Sequence, residues 1–189
     1  MARTYTLKAR AEHQAQTRQK IVEAAVDLHG TVGPARTSLS MVAERAGVQR
    51  NTLYAHFPDE RSLLMACSGL SFERSPPPDG AAWLAVGDPR ARLRTALAAV
   101  YAWFGANAGM LGCVLRDAEH YPPVQEIAAL RFGPVIAGWR VALGEGRSPE
   151  QQAMIGLALD FHAWRALVRD GGLTGDQAAE AMARAVEGV

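Results

Sequence analysis

A chain of 189 residues, 49% of them hydrophobic, is long enough to bury a sizeable core in one or two domains. Its 20 Lys and Arg against 19 Asp and Glu leave a formal net charge of +1, which excludes a protein-wide field for nucleic acid and requires any such attraction to be local. No apolar run approaches the ~20 residues that cross a bilayer and no signal peptide is visible, so a cytoplasmic protein with no membrane partner is expected.

The one strongly basic stretch is at the start. Within residues 1–20, Arg3, Lys8, Arg10, Arg18 and Lys20 face Glu12 alone. Residues 1–13 read as a basic arm, for which a solvated, frayed tail is the plain alternative. Arg18 and Lys20 are stronger candidates for a DNA backbone, because they fall on a helix.

The stretch TSLSMVAERAGVQRNTLYAHFPDERSLL, from Thr37 to Leu64, carries the most information. Thr37 or Ser38 can cap a short helix whose Val42, Ala43 and Ala46 face inward. Gly47 stands where the chain must leave that helix, and Val48 can plug the corner. A second helix from about Arg50 to His56 turns Leu53 and Phe57 to the core. Gln49, Arg50, Asn51, Thr52, Tyr54 and Ala55 then stay outside, a shape that fits a DNA major groove. Helix pairs on a glycine turn are common, however, and geometry alone leaves proteins that bind no DNA in play.

The pattern T-S-L-x-x-V-A-x-x-A-G-V-x-x-x-T-L-Y-x-H-F-P closely resembles the DNA-binding domain of the TetR family of bacterial repressors. Ile21, Ala24, Ala25, Leu28 and Gly33 resemble the family's first helix and the glycine that ends it. The resemblance implies a three-helix helix-turn-helix DNA-binding domain at 14–72 and a helical ligand-binding and dimerisation domain at 73–189. In one departure, Asp59 and Glu60 stand where the family often has a lysine. An acidic pair there repels phosphate; either Arg61 takes over that contact or the pair serves only as a helix start favoured by the dipole.

Beyond Leu64 the chain reads as capped helices. Asp59 can start one through Leu63, Leu64, Cys67 and Leu70, and the prolines of Ser75–Gly80 break it. Asp88-Pro89 starts the next, striped by Leu93, Leu97, Val100 and Phe104. A short helix at about 108–119 precedes Pro122-Pro123, and another runs to Leu143 with a kink or break expected near Phe132, before Pro134. Ser148, Pro149 and Gln151 open a helix expected to reach Asp170, and Thr174 with Gln177 opens the last one. With no strand-like alternation, the fold class is all-α.

The helix from Gln151 is apolar on two faces, one of them Ala153, Leu157, Phe161, Trp164 and Val168. The resemblance implies a homodimer joined through the last two helices. Leu157, Phe161, Trp164, Val168, Met182 and Val186 are the expected interface residues, with Gly156, Ala158 and Ala163 allowing close packing. A dimer would read a palindromic double-stranded operator, its half-sites ~34–36 Å apart. Arg50 is matched to guanine, Asn51 or Gln49 to adenine, and Thr52, Tyr54 and His56 to phosphates, with Ser38 and Ser40 adding backbone contacts.

The resemblance also implies a C-terminal cavity for a small-molecule effector, whose chemical class the sequence leaves open. Candidate lining residues are Tyr101, Trp103, Phe104, Met110, Cys113, His120, Tyr121, Phe132, Trp139 and His162, though most can equally be core. Cys67 and Cys113 lack CxxC spacing and read as buried thiols, so no metal or cofactor is expected. No GxSxG or HExxH motif surrounds the histidines, which argues against an enzyme. The remaining alternative is a helical dimer that binds a protein partner or coats DNA without an effector.

Overall fold

The computed structural model describes residues 2–189, with side chains from Lys8 onward, so Arg3 of the basic arm lies outside the described side chains. Every regular element among them is helical. Helix α1 (Ala2–Thr31) leads through a 3-10 turn (Pro34–Arg36) to α2 (Leu39–Ala46), α3 (Arg50–His56) and α4 (Glu60–Arg74). There follow α5 (Gly80–Trp83), α6 (Pro89–Ala106), α7 (Ala108–Ala118), α8 (Pro122–Gly144), α9 (Pro149–Ala158), α10 (Phe161–Arg165) with a π-helical turn (Ala166–Asp170), and α11 (Gly175–Glu187).

The basic arm is helical rather than a frayed tail. Between Ala2 and Gly30 there is neither glycine nor proline, and Ala, Leu, Lys, Arg, Glu and Gln are strong helix formers, so α1 reaches back to Ala2. The helix buries its first full side chains at Ile21 and Val22, which leaves Lys8, Arg10, Arg18 and Lys20 exposed.

The chain forms two compact units, one containing the residues up to Arg74 together with Gly112–Ala128, the other Ser75–Leu111 with Ala129–Val189. The first unit is therefore not one contiguous stretch as the sequence suggested. Its core gathers Ile21, Val22 and Ala25 from α1, Val42 and Ala43 from α2, Leu53 and Phe57 from α3 and its end, and Leu63, Leu64 and Cys67 from α4. Val124 and Ile127 from the start of α8 complete it.

Asp117, near the end of α7, is buried in this unit and accepts from the Ala35 N–H at 2.9 Å and from Arg116 Nε at 2.7 Å. Burial alone would raise its pKa, but the Arg116 guanidinium and the Ala35 N–H outweigh that and hold the carboxyl below its ordinary range. Arg116 also donates to the Val32 carbonyl at 3.2 Å, so two adjacent side chains fasten the turn between α1 and α2.

His29 is buried near the end of α1, its Nδ1 3.3 Å from the Cys67 sulfur. Burial lowers its pKa to about 4, against the opposing pull of Asp117. An exposed imidazole takes its proton near pH 6.5, so the unfolded chain holds more protons between those values and stability falls as pH drops through that interval. The loss is expected to reach about 3 kcal/mol. Urea midpoints at pH 7, 5.5 and 4.5 should fall more steeply for the wild type than for His29→Gln, and parallel curves would refute this account.

In the second unit α6 packs on α11. Leu93, Ala96, Leu97, Val100, Tyr101 and Phe104 on one helix and Ala178, Ala179, Ala183 and Val186 on the other are all buried. Asp88 caps α6, and both residues of each expected capping box, Ser148 with Gln151 and Thr174 with Gln177, bond reciprocally. The proline run is held by side chains from elsewhere in the unit: Trp103 Nε1 donates to Ser75 O at 3.1 Å and Trp139 Nε1 to Pro78 O at 2.8 Å. Immediately after it, Asp79 caps the short α5, which sequence reasoning did not resolve.

Two expected helices differ. Helix α8 runs unbroken through Pro134; the carbonyl that loses its partner belongs to Leu130 on an exposed side, where water can bond it. The helix from Ser148 stops at Ala158 instead of reaching Asp170. Asp160 accepts from the Ala163 N–H at 2.8 Å and so starts a new helix inside the apolar run. Helix α8 has the length and mean hydropathy, 1.2, of a membrane span, but Val124 and Ile127 are used in the first core and Trp139, Ala142 and Leu143 are buried further along.

Candidate nucleic-acid interface

Ser38 starts α2, its Oγ accepting from the Met41 N–H at 3.2 Å, while the Thr37 hydroxyl donates to Gly33 O at 2.8 Å. Gly47 ends the helix at φ 67° and ψ 33°, and its N–H bonds back to the last turn. A Cβ at Gly47 would touch nothing within 4 Å, so glycine is favoured there by backbone conformation alone.

Helix α3 is held from beneath by the fully buried Leu53 and by Phe57. The Arg18 guanidinium lies 4.8 Å from the centre of the Phe57 ring, a cation–π contact that joins α1 to the end of α3. Gln49 stands at the N-cap without a side-chain capping bond, so its amide is not consumed by the helix. Gln49, Arg50, Asn51 and Tyr54 are exposed, Tyr54 by 43%, while Thr52 and His56 are half-buried. The hydrogen-bonding side chains matched to bases thus stand together at the first turn of α3, and Tyr54 lies one turn on.

Ser40, Gln49, Arg50 and Asn51 line one open groove of about 430 Å³ between α2 and α3. Glu44 lines it too, and sequence reasoning passed it over. Arg36, an exposed cation in the turn before Ser38, was also missed; the only signal was its position beside the cap. Arg45 on α2 is paired with Asp27 of α1, which fixes the two helices together.

The acidic pair at the start of α4 has a structural explanation. Asp59 caps Ser62 at 2.7 Å, and Glu60 accepts from the Tyr121 hydroxyl at 2.7 and 2.9 Å to its two oxygens. That bond, more than burial, raises the Tyr121 pKa. Arg61 donates to Glu126 Oε1 through Nε at 3.0 Å and Nη2 at 2.8 Å, so it is committed to α8 rather than standing in for the absent lysine.

The expected ligand-pocket residues are divided between the two units. Cys113, His120 and Tyr121 fall in the first unit: Cys113 lies 3.7 Å from Gly30 O, Tyr121 is bound to Glu60, and His120 is exposed. Tyr101, Phe104, Met110, Trp139 and His162 belong to the second, Tyr101 and Phe104 in an aromatic cluster, with His162 half-buried against Phe161. The interface set divides as well. Phe161, Trp164 and Val186 are buried within the protomer, because α10 turns its rings onto Phe104 and α11 turns Val186 inward beside Ala183. Leu157 is 49% exposed, and Val168 and Met182 are half-buried.

Residues 21–67 match the family model described as bacterial regulatory proteins, tetR family. That segment, the helix-turn-helix with its preceding helix, is similar to the DNA-binding segment of the TetR family. The HTH-type transcriptional repressor KstR of Mycolicibacterium smegmatis is 36% identical over 83 residues, which are 44% of this chain and 41% of that protein. The chain therefore spans about two fifths of that relative.

The TetR fold extends beyond the matched segment. A TetR-like regulator from a Rhodococcus species superposes with a TM-score of 0.63 over 90% of this chain and 93% of its own, at 23% identity. The regulator PfmR from Thermus thermophilus does so at 0.61, 22% identity, over 88% and 96%. The multidrug binding protein EbrR, solved with imidazole, gives 0.59 at 26% identity over 88% and 93%.

Proposed function

We propose that this chain is a homodimeric transcriptional repressor that reads a palindromic operator through α3 and is released from it by a small-molecule effector. The observation that carries the reading is the exposed row Gln49, Arg50, Asn51 and Tyr54 on a helix fixed by the Gly47 turn and the Leu53 and Phe57 anchors. The KstR likeness, and the ligand held by EbrR, support the repressor and effector parts. A cytoplasmic location follows, since the DNA is there.

Arg50 offers a fork that matches guanine O6 and N7, and Asn51 or Gln49 an amide that matches adenine. Glu44 in the same groove accepts only, which suits the cytosine amino group and disfavours phosphate. Arg18, Ser40, Thr52 and His56 hold the backbone around them, while the Ser38 hydroxyl is shared with its capping role. Of the residues expected at the interface, Leu157, Val168 and Met182 are the ones left to face a second protomer.

Gel shifts on the DNA upstream of the gene test the reading. A single footprinted palindrome is expected, and uniform coating would overturn sequence-specific repression. Arg50→Ala should weaken operator binding by ~1–3 kcal/mol and relax preference at one symmetric position per half-site. Tyr54→Phe should weaken all sequences alike. Competition against single-base operator variants checks the pair, and an unchanged preference in Arg50→Ala removes that residue from base reading.

A further inference from the structure

In the second unit, α10 lies between two irregularities: the break at Leu159–Asp160 and the π-helical turn, where the Gly171 N–H bonds to Ala166 O at 2.8 Å. Trp164 on α10 and Tyr101 on α6 both pack on Phe104, with ring centroids 5.8 and 6.1 Å away. Phe161 closes the cluster at 5.6 Å from Phe104 and 5.3 Å from Trp164. Tyr101 and Trp164 are 1% and 3% exposed, yet neither the phenol oxygen nor the indole nitrogen has a hydrogen-bond partner in the protein.

Elsewhere in the unit the fold supplies such partners, Pro78 O for Trp139 and Ser75 O for Trp103. Two buried donors without acceptors, on rings that both pack on Phe104, are a desolvation cost that the protein itself does not offset. We infer that Tyr101 and Trp164 are the polar end of a ligand site within this aromatic cluster, and that it takes an uncharged, flat apolar molecule carrying a hydrogen-bond acceptor such as a carbonyl oxygen.

The class follows from the surroundings. The nearly buried charged side chains of this unit, Arg92 and Glu187, are already paired with Glu145 and Arg94, so a desolvated charge on the ligand would take its counter-charge from an existing ion pair. Burial first, and then the Asp160 carboxylate, push the Tyr101 pKa well up, so the phenol remains a donor at neutral pH and the local field opposes an anion. Phe104 and Phe161 supply apolar faces, and the irregular turns on either side of α10 are the kind of backbone that accompanies functional sites. The site deepens the effector half of the proposed function and rests on it.

Three probes test this on the full chain, followed by tryptophan fluorescence and calorimetry: 2-acetylnaphthalene, naphthalene and 2-naphthoate. The neutral ketone should bind about tenfold more tightly than either of the others. Tyr101→Phe and Trp164→Phe each remove one donor, and each should shrink the ratio of ketone to naphthalene affinity towards one, whatever either change does to naphthalene itself. A ketone no tighter than naphthalene, or indifferent to both substitutions, overturns the donor assignment. Naphthoate binding as well as the ketone overturns the uncharged class. Operator binding measured on the same samples separates the two readings. Protein that binds operator but none of the probes loses this site and keeps DNA recognition; protein that binds the ketone but no DNA keeps the site and loses the repressor.

Discussion

Replacing Gly33 with alanine is expected to lower the stability of the first unit by about 3 kcal/mol, a large effect for one methyl group. Gly33 has φ 102°, where an L side chain is strained, and its Cβ would come within 2.6 Å of Asp117 Oδ2 and closer still to the Arg116 guanidinium. Arg116 can swing away. Asp117 cannot, because it is buried and holds the Ala35 N–H, so its bond must break for the methyl group to fit. Gly47→Ala is the control: its φ is also positive, but the space beside it is open, and a loss of only ~1 kcal/mol is expected. Urea unfolding of the two variants should separate them. Equal losses would mean that Asp117 does not fasten the turn into α2.

Phe161→Ala should destabilise the protomer by ~3–5 kcal/mol, the range for emptying a packed aromatic site. Its ring touches Phe104 and Trp164 inside the second unit, so the loss should not depend on protein concentration. Leu157→Glu should behave in the opposite way. That side chain is half exposed on the protomer, so a carboxylate there remains solvated in the monomer and is desolvated only in the proposed dimer. Sedimentation over a range of concentrations should show monomers for Leu157→Glu with little change in urea midpoint. A stable, monomeric Phe161→Ala would reverse the assignment and return that ring to the interface.

These contrasts mark where local reading of the chain stops. Asp160 illustrates it: an Asp within the apolar run is as consistent with an exposed position on a continuous helix as with the cap of a new one. Only the bond from the Ala163 N–H distinguishes them. The same holds for Arg61 and Glu60, whose charges are plain in the sequence while their partners, Glu126 and Tyr121, lie more than sixty positions away.

The sequence by itself determined the all-α class, the caps at Asp88, Ser148 and Thr174, the Gly47 turn, the limits of α3 and the TetR likeness. Each of these depends on residues within a few positions of one another, where spacing and backbone preference act directly. The tertiary structure decided which apolar faces are already covered, placing Phe161, Trp164 and Val186 inside the protomer and leaving Leu157 outside. It also assigned Cys113, His120 and Tyr121 to the first unit and Tyr101 to the second. Apolar character states that a side chain leaves water and not what it meets, because the hydrophobic effect has no direction and the partner is chosen by contacts distant in the chain.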